Sequence, residues 1–378
     1  MVRLAGVRRW SDAAWQIQWR HGISPVTMLR EYRRFNRAIG INRVEFLYYW
    51  LWDVRRPLAE RMAIFSDREH YLVDRRINPP VNADRAREKV ESTARLEDAG
   101  VPVGEVLALI ALAGGHEAGT GRYRTAVSEG EVLDLLRDAP PEGMVIKPVR
   151  GRGGDGVHVF REAGPTGLVG LDGRVVSTAA FLALLRTHPA WKVERRILAH
   201  PVLARIAGPT LGTLRLVTIR MLDGTVHLCQ PVWKIPIGDS GLDHYNYGVG
   251  SIAAEVDERS GRLGRARRWE VFEHVTHHPE TGERIEGVVM PHWAATVACA
   301  LRVAAAFPEL GTLGLDVAVG PEGPILIEVN TNWGQNLTQA PGPTGLVRGR
   351  FLRFLEERGC GDVVNLGARE ALGLADLD

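Results

Sequence analysis

"GMVIKPVRGRGGDGVHVF", residues 143–160, joins an apolar β-branched run, one lysine, a loop of glycine and arginine, and a second β-branched run. The outer parts have strand composition. Successive glycines between them let the backbone turn inward and present its N–H groups. Such a concavity, with a lysine at its root, suits phosphate oxygens. Pro148 keeps Lys147 extended, so that side chain leaves the sheet on a fixed face. The candidate contacts are therefore Lys147 and the loop glycines Gly151, Gly153 and Gly154. The spacing is neither a P-loop nor a dinucleotide fingerprint, because no Gly-Lys-Ser/Thr occurs and no helix directly follows the glycines. A Gly-rich hairpin between strands fits a flap folding over a phosphate. A surface hairpin would have the same Gly, Arg and Asp content.

A second signal lies downstream. "LDVAVGPEGPILIEVN" (315–330) reads as a hairpin centred on Gly-Pro-Glu-Gly. This register sets Asp316 opposite Glu328, and alternation puts Glu328 and Asn330 on one face. Facing like charges repel unless a cation lies between them. Oxygen donors without His or Cys fit Mg2+, whose other ligands are water and substrate phosphate. Acids on a solvated hairpin would look the same, but the flanking Val, Ile and Leu argue for a place beside a core.

Composition bounds these readings. A chain of 378 residues holds about two or three domains. It is 45 % hydrophobic and 24 % charged, an ordinary globular mix, and its net charge of +2 gives no argument for nucleic acid. Cys229, Cys299 and Cys360 lack ligand spacing and suit a reducing compartment. The longest apolar run falls well short of the ~20 residues that cross a bilayer. The arginine-bearing start shows no apolar signal segment. The expectation is a cytoplasmic chain with no membrane span. Basic residues are nearly all Arg; the four lysines are Lys89, Lys147, Lys192 and Lys234. Lysine is the compact point charge of the two, so its sparing use suggests sites that need the smaller head.

Three regions follow. Residues 1–80 are rich in Trp, Tyr and Arg. "VTMLREYRRFNRAIG" and "EFLYYWLWDVRRPLAERMAIF" have helical spacing, the second kinked or broken at Pro57. This region reads as a helical cap, or as a docking surface for a protein partner or a second copy. "INPPVNAD" reads as a linker ending in an N-cap at Asn82 or Asp84, followed by one helix to Gly100. Residues 81–197 and 198–378 then alternate strands and helices in a mixed α+β pattern with antiparallel pairs. Ser128 with Glu131 forms a capping box. "TLRLVTIRML" and "TVHLCQPVWKIP" form a hairpin about Asp-Gly. His274, His277 and His278 lie in a polar stretch without metal-ligand spacing and read as a solvated loop. "GRLGRARRWE" reads as a solvated turn, and Cys229 as core.

The C-terminal three quarters resembles the ATP-grasp superfamily, and residues 80–340 resemble its sugar-transfer-associated branch. "DRAREKVESTARLEDAGVPV" is similar to the helix that carries a phosphate-directed lysine, which falls on Lys89. "VIKPVRGRGGDGV" matches the second lysine strand and its loop. "KVERRI" is similar to the adenine-holding hinge, which implies Glu194 near the amino group and the backbone at Arg195 and Ile197 along the base edge. "GTLRLVT" resembles the branch's strand with a central arginine, Arg215. The stretch 290–330 matches through the hairpin, which implies Asp316, Glu328 and Asn330 as ligands of Mg2+, two ions in number. "GQNLTQAPG" also fits, with Gln339.

The sequence departs from the superfamily pattern at two places. No acid follows the hinge in "ILAHPVL", where many members hold the ribose. Gly314 stands where many ligases carry Arg, two residues before the first metal Asp, and Arg215 or Lys234 are the candidates to supply that cation.

The resemblance implies an ATP-grasp fold, two α+β subdomains clamping a nucleotide, behind an N-terminal helical extension. It implies ATP and Mg2+ as cofactors, with a small-molecule carboxylate and an amine acceptor as partners. Reaction through an acyl phosphate would form an amide, in natural-product or cell-surface polysaccharide biosynthesis. Arg215 is the candidate to steady the carboxylate, and Lys234 and Asn246, in "HYNYGVGS", are the candidates to line the acceptor side, though a Gly-rich surface turn would equally contain Asn246. A phosphotransferase acting on a hydroxyl and a nucleotide-binding partner without turnover are the alternatives.

Overall fold

A computed structural model of the chain describes residues 10–113, 121–150, 156–164, 166–238, 251–268, 273–342 and 344–376. The N-terminal layer is helical: α1 (Trp10–His21), α2 (Pro25–Ile39), α3 (Arg43–Tyr48), α4 (Leu58–Met62) and α5 (Asp67–Ile77). α2 shows why. Ser24 caps it by accepting from the Thr27 N–H, Pro25 opens its first turn, and Gly40 closes it at φ +68°. Met28, Glu31, Phe35 and Ile39 recur at helical spacing on its buried face. The run expected over 45–65 is not one kinked helix. α3 stops at Tyr48, turns carry the chain past 49–56, and α4 restarts after Pro57. Tyr48, Tyr49, Leu51 and Trp52 are all buried. Phe46 and Leu47 are buried too, and the four consecutive positions 46–49 go all the way round a helix, so the run has no single outward face to leave to solvent.

The linker expected through Asp84 is likewise helical. α6 (Pro80–Arg87) starts on a proline, and the chain breaks at Glu88, with ψ 105°, before α7 (Lys89–Asp98). The Glu88 carboxylate accepts from the Val90 and Glu91 N–H groups at 3.1 and 3.0 Å. Lys89 is thereby the first residue of a new helix.

Among the described residues there are two seven-stranded sheets. The first holds β1 (Val106–Ile110), β2 (Thr125–Ala126), β3 (Met144–Pro148), β4 (His158–Gly164), β5 (Gly167–Gly170), β6 (Val175–Ser177) and β7 (Trp191–Arg195), ordered β2-β1-β7-β3-β4-β5-β6. Helices α8 (Glu129–Arg137), capped by the Ser128–Glu131 box, and α9 (Thr178–Leu185) cover one face. Met144, Ile146, Trp191 and Val193 pack on that face. Alternation sends Lys147, Lys192 and Glu194 to the other.

After α10 (Pro201–Ala207) comes the second sheet. Its strands are β8 (Thr213–Arg220), β9 (Val226–Pro236), β10 (Ser251–Val256), β11 (Leu263–Arg268), β12 (Glu273–Val275), β13 (Thr312–Gly320) and β14 (Gly323–Asn330), ordered β12-β11-β10-β9-β8-β13-β14. α11 (Trp293–Ala306) packs on one face through Cys299, Ala300, Val303 and Phe307. Val217, Ile219 and Cys229 join the N-terminal helices and α13 (Gly349–Glu357) in one core, which also takes in Val364 and Leu374 beyond it.

Backbone pairing ties the sheets together. Val103 bridges Leu326 in parallel, and the Leu326 N–H donates to the Pro102 carbonyl at 2.8 Å. The residues just after α7 therefore run beside β14. Arg95 grips Glu309 with two bonds, at 2.7 and 3.0 Å. Among the described residues no helix is long and apolar enough to cross a membrane.

Candidate functional site

Lys147 and Lys192 are register partners on β3 and β7. Directly opposed like charges destabilise a strand pair. Glu194, two residues along, relieves them: its Oε2 lies 2.8 Å from Lys147 Nζ and its Oε1 2.8 Å from Lys192 Nζ. Burial alone would raise the Glu194 carboxyl, but the two ammonium groups outweigh it and hold the pKa below the usual range. Lys192 also donates to Thr93 Oγ1 at 2.7 Å, and Thr93 donates to the Lys89 carbonyl at 2.6 Å. Lys89 Nζ itself donates to the Pro148 carbonyl at 3.0 Å. Three lysines thus meet at the junction of α7 with the first sheet.

The acidic side is a row across three strands. Arg215 on β8 pairs with Asp316 on β13, and Asp316 with Glu328 on β14. Beyond that row the register shifts by one between Asp316 and Val317. Arg215 Nε donates to Asp316 Oδ1 at 2.9 Å and Nη2 to Oδ2 at 3.2 Å, while Nη1 donates to the Trp333 carbonyl. Lys234 on β9 reaches Asp316 Oδ1 at 3.3 Å, and the Asn330 amide donates to Oδ2 at 3.3 Å. Burial opposes the Asp316 charge, yet Arg215 and Lys234 bring its pKa down to about 2. Glu328 goes the other way. Crowding by protein, and then the Asp316 charge, raise its carboxyl above the usual range, against the pull of Lys89 and Lys147. Glu328 is itself exposed, and solvent screening tempers that rise.

These interactions cross between the sheets. Glu328 is the largest charge favouring ionised Lys89, which burial otherwise depresses. The cationic cluster and the acidic row therefore act on each other, with Lys89 and Lys147 within electrostatic reach of Glu328. The donor set fits a hard divalent cation: two carboxylates and an amide oxygen, with the Glu328 charge left uncompensated by a direct ion pair among the described residues. Among the described residues no group of three or more His, Cys, Asp or Glu side chains is arranged to hold a metal ion by itself.

Other candidates are placed as follows. The Arg195 N–H is taken by the Glu105 carbonyl at 2.9 Å, and its guanidinium by Glu105 and Glu142. Ile197 follows just past the end of β7, half-buried. Gly151, Gly153, Gly154 and Asn246 lie outside the described residues. Lys192, Thr93 and Trp333 are parts of the arrangement that sequence reasoning did not assign. For Lys192 a signal existed: it is one of four lysines and stands two residues from Glu194.

Two readings are corrected. His278 is buried, with Nε2 on the Pro236 carbonyl at 2.8 Å. Arg267 is buried over the Tyr48 and Trp50 rings rather than lying in a solvated turn.

No curated protein sequence matches this chain. Among solved structures, D-alanyl-alanine synthetase A from Vibrio cholerae is 13 % identical with a TM-score of 0.41, over 76 % of this chain and 67 % of the other. VanG D-Ala:D-Ser ligase from Enterococcus faecalis is 14 % identical with a TM-score of 0.40, over 74 % and 62 %. N5-carboxyaminoimidazole ribonucleotide synthetase in its ADP complex is 12 % identical with a TM-score of 0.38, over 70 % of this chain and about half, 54 %, of the other. The family model for sugar-transfer associated ATP-grasp proteins matches residues 68–352, a span that takes in α7, both sheets, the lysine cluster and the acidic hairpin. On that match the chain has the α+β ATP-grasp fold behind an N-terminal helical extension, and it belongs to the sugar-transfer-associated ATP-grasp family.

Proposed function

We propose that the protein is an ATP- and Mg2+-dependent carboxylate–amine ligase that works through an acyl phosphate. The observation that carries this reading is that Lys89 and Lys147 lie within electrostatic reach of Glu328. A triphosphate needs cations on its α- and β-phosphates and a metal site at its β–γ end, and the lysine cluster and the acidic row have the chemistry to supply them.

Lys89 and Lys147 bind the α- and β-phosphates, with Glu194 and Lys192 fixing where Lys147 stands. The adenine lies along the end of β7, its edge beside the backbone of Arg195 and Ile197. The loop holding Gly151, Gly153 and Gly154 covers the phosphates. Asp316, Glu328 and, once its amide is turned, Asn330 would hold Mg2+, two ions by the family resemblance, which would supply charge withdrawal from the leaving diphosphate.

The substrate carboxylate oxygen attacks the γ-phosphorus as the β–γ bridging bond breaks and ADP leaves. An amine then attacks the acyl carbon, phosphate departs, and the nitrogen gives up a proton. Arg215, anchored by Asp316 and the Trp333 carbonyl, sits where a guanidinium can steady the carboxylate and then the developing oxyanion. Lys234 and Asn246 line the acceptor side. The family resemblance suggests natural-product or cell-surface polysaccharide biosynthesis as the setting.

The test is phosphate release from ATP against a panel of carboxylates and amines, with Lys147→Ala as the blank. Glu328→Ala should abolish turnover with an unchanged circular dichroism spectrum. Full activity in that variant removes the metal site from the mechanism. A stable phosphoester product with no free phosphate replaces the ligase with a phosphotransferase.

A further inference from the structure

α1 and α2 pack together and are joined only by Gly22, Ile23 and Ser24. Each turns one face into the helical core: Ala13, Ala14 and Ile17 from α1, and Met28, Phe35 and Ile39 from α2. At 100° per residue the opposite faces hold Trp15 and Trp19 on α1, and Val26, Arg30, Arg33 and Arg37 on α2. Solvent access agrees: Trp15 is 66 %, Trp19 70 % and Val26 79 % exposed. The two indoles lie parallel, with ring centroids 6.2 Å apart. On α2, Val26, Leu29, Arg30, Arg33, Arg34 and Arg37 line a shallow depression of about 680 Å3.

On α2 the outward charge has one sign, and α1 adds one exposed acid, Asp12, in its first turn. The single acid of α2, Glu31, is buried against Arg61 at 2.7 Å, and only Arg30 also approaches it, at 3.6 Å. Arg33, Arg34 and Arg37 pair with no acid among the described residues. The chain's overall charge of +2 conceals this local excess. Exposed indoles favour the headgroup level of a bilayer, and clustered guanidinium groups draw anionic headgroups. Exposed Val26 and Leu29 decide between partners. A lipid interface gains from burying them, whereas a nucleic acid strand or an acidic peptide would use only the arginines and indoles.

We propose that the outward face of α1 and α2 is a docking surface for an anionic lipid bilayer, with Trp15 and Trp19 entering the headgroup layer and Arg30, Arg33, Arg34 and Arg37 holding acidic headgroups. The surface is independent of the nucleotide cleft, so this proposal stands or falls apart from the ligase reading.

Vesicle flotation of the full chain tests it, with phosphatidylcholine alone and with phosphatidylcholine containing about 30 % phosphatidylserine. The expected result is flotation with the anionic vesicles only, lost in about 0.5 M NaCl. Arg33→Glu/Arg37→Glu should lower the partition at least about tenfold. Trp15→Ala/Trp19→Ala should weaken it while leaving its salt dependence. All four positions are exposed, and circular dichroism checks that each variant folds. Equal flotation with both vesicles, none with either, or flotation untouched by both variants overturns the proposal. So does a dimer in sedimentation that Arg33→Glu/Arg37→Glu dissolves, which gives the face to a second copy, or tighter retention of single-stranded DNA than of anionic vesicles.

Discussion

Lys147 and Lys192 share one carboxylate but differ in what else they can touch. Lys192 is 3 % exposed and is spent between Glu194 and Thr93. Lys147 lies nearer the cleft and within reach of Glu328. Lys192→Met leaves a buried Glu194 with one ammonium partner. It should cost about 2–4 kcal/mol of stability by urea unfolding, and a loss below about 0.5 kcal/mol would remove the triad from the account. Lys147→Met should instead show its main effect on ATP turnover. Gly314 explains the departure at the place where many ligases carry arginine. A Cβ there would lie 2.0 Å from Trp333 Cβ, so no side chain fits, and Arg215 brings a guanidinium to Asp316 from the neighbouring strand instead. Gly314→Ala should destabilise the protein by at least about 2 kcal/mol through overpacking. Its Tm matching that of the unaltered protein would show that Trp333 has room to move.

At the scale of elements, the hairpin was open to sequence reasoning because Gly-Pro-Glu-Gly marks its turn, and Asp316 does pair with Glu328; but the pairing set at the turn would leave Asp316 opposite Ile327, and the one-residue register shift between Asp316 and Val317, which no sequence signal announces, brings Glu328 opposite it. The Ser128–Glu131 box is a local signal and forms as such. The break between α6 and α7 carries no such signal. Ala, Arg, Glu and Lys surround it, all good helix formers, and the kink is held by the Glu88 side chain capping α7. Likewise nothing local tells that Arg267 or His278 is buried, since both find their partners far away in sequence. The approach of Lys89 to Glu328 depends on the Pro102–Leu326 bond, a contact between distant segments. Glu88→Ala removes the cap and should cost about 1 kcal/mol. Because Lys89 begins that helix, the same change should raise the KM for ATP more than it lowers kcat. An unchanged KM would separate the cap from the placing of Lys89.

Across the whole molecule, the N-terminal helices and the C-terminal segment form one core with the back of the second sheet. Gln339 fastens it: its Oε1 accepts from the Phe65 and Leu346 N–H groups at 2.8 and 3.0 Å, and its Nε2 donates to the Phe65 carbonyl at 2.9 Å. Arg369 reaches Glu69 at 2.9 Å inside the same layer. His70 sits in this core against Trp333 and Phe65, with ring centroids 4.8 and 5.6 Å away, and its Nε2 has no hydrogen-bond partner among the described residues. Burial pushes its pKa down to about 4. Below about pH 6.5 the unfolded chain binds a proton there that the folded chain refuses. The stability that neutral His70 allows is therefore complete above about 6.5 and is lost as pH falls toward 4, at about 1.4 kcal/mol per unit. Glu45 has the opposite sign. Burial, and then Asp67, raise it to about 8 against the pull of the Asn42 and Asp67 N–H groups. Its folded form holds a proton that the unfolded chain releases above about 4.5, so stability falls as pH rises from there to 8. The two slopes oppose each other between about 4.5 and 6.5 and leave only the Glu45 slope above. Urea unfolding of the protein and of His70→Phe at pH 5, 6.5 and 8 isolates the histidine: the stability difference between them should change by about 2 kcal/mol from pH 5 to 6.5 and stay level from 6.5 to 8. A difference independent of pH throughout would mean that the imidazole is not held neutral where Trp333 joins the helical layer to the acidic row.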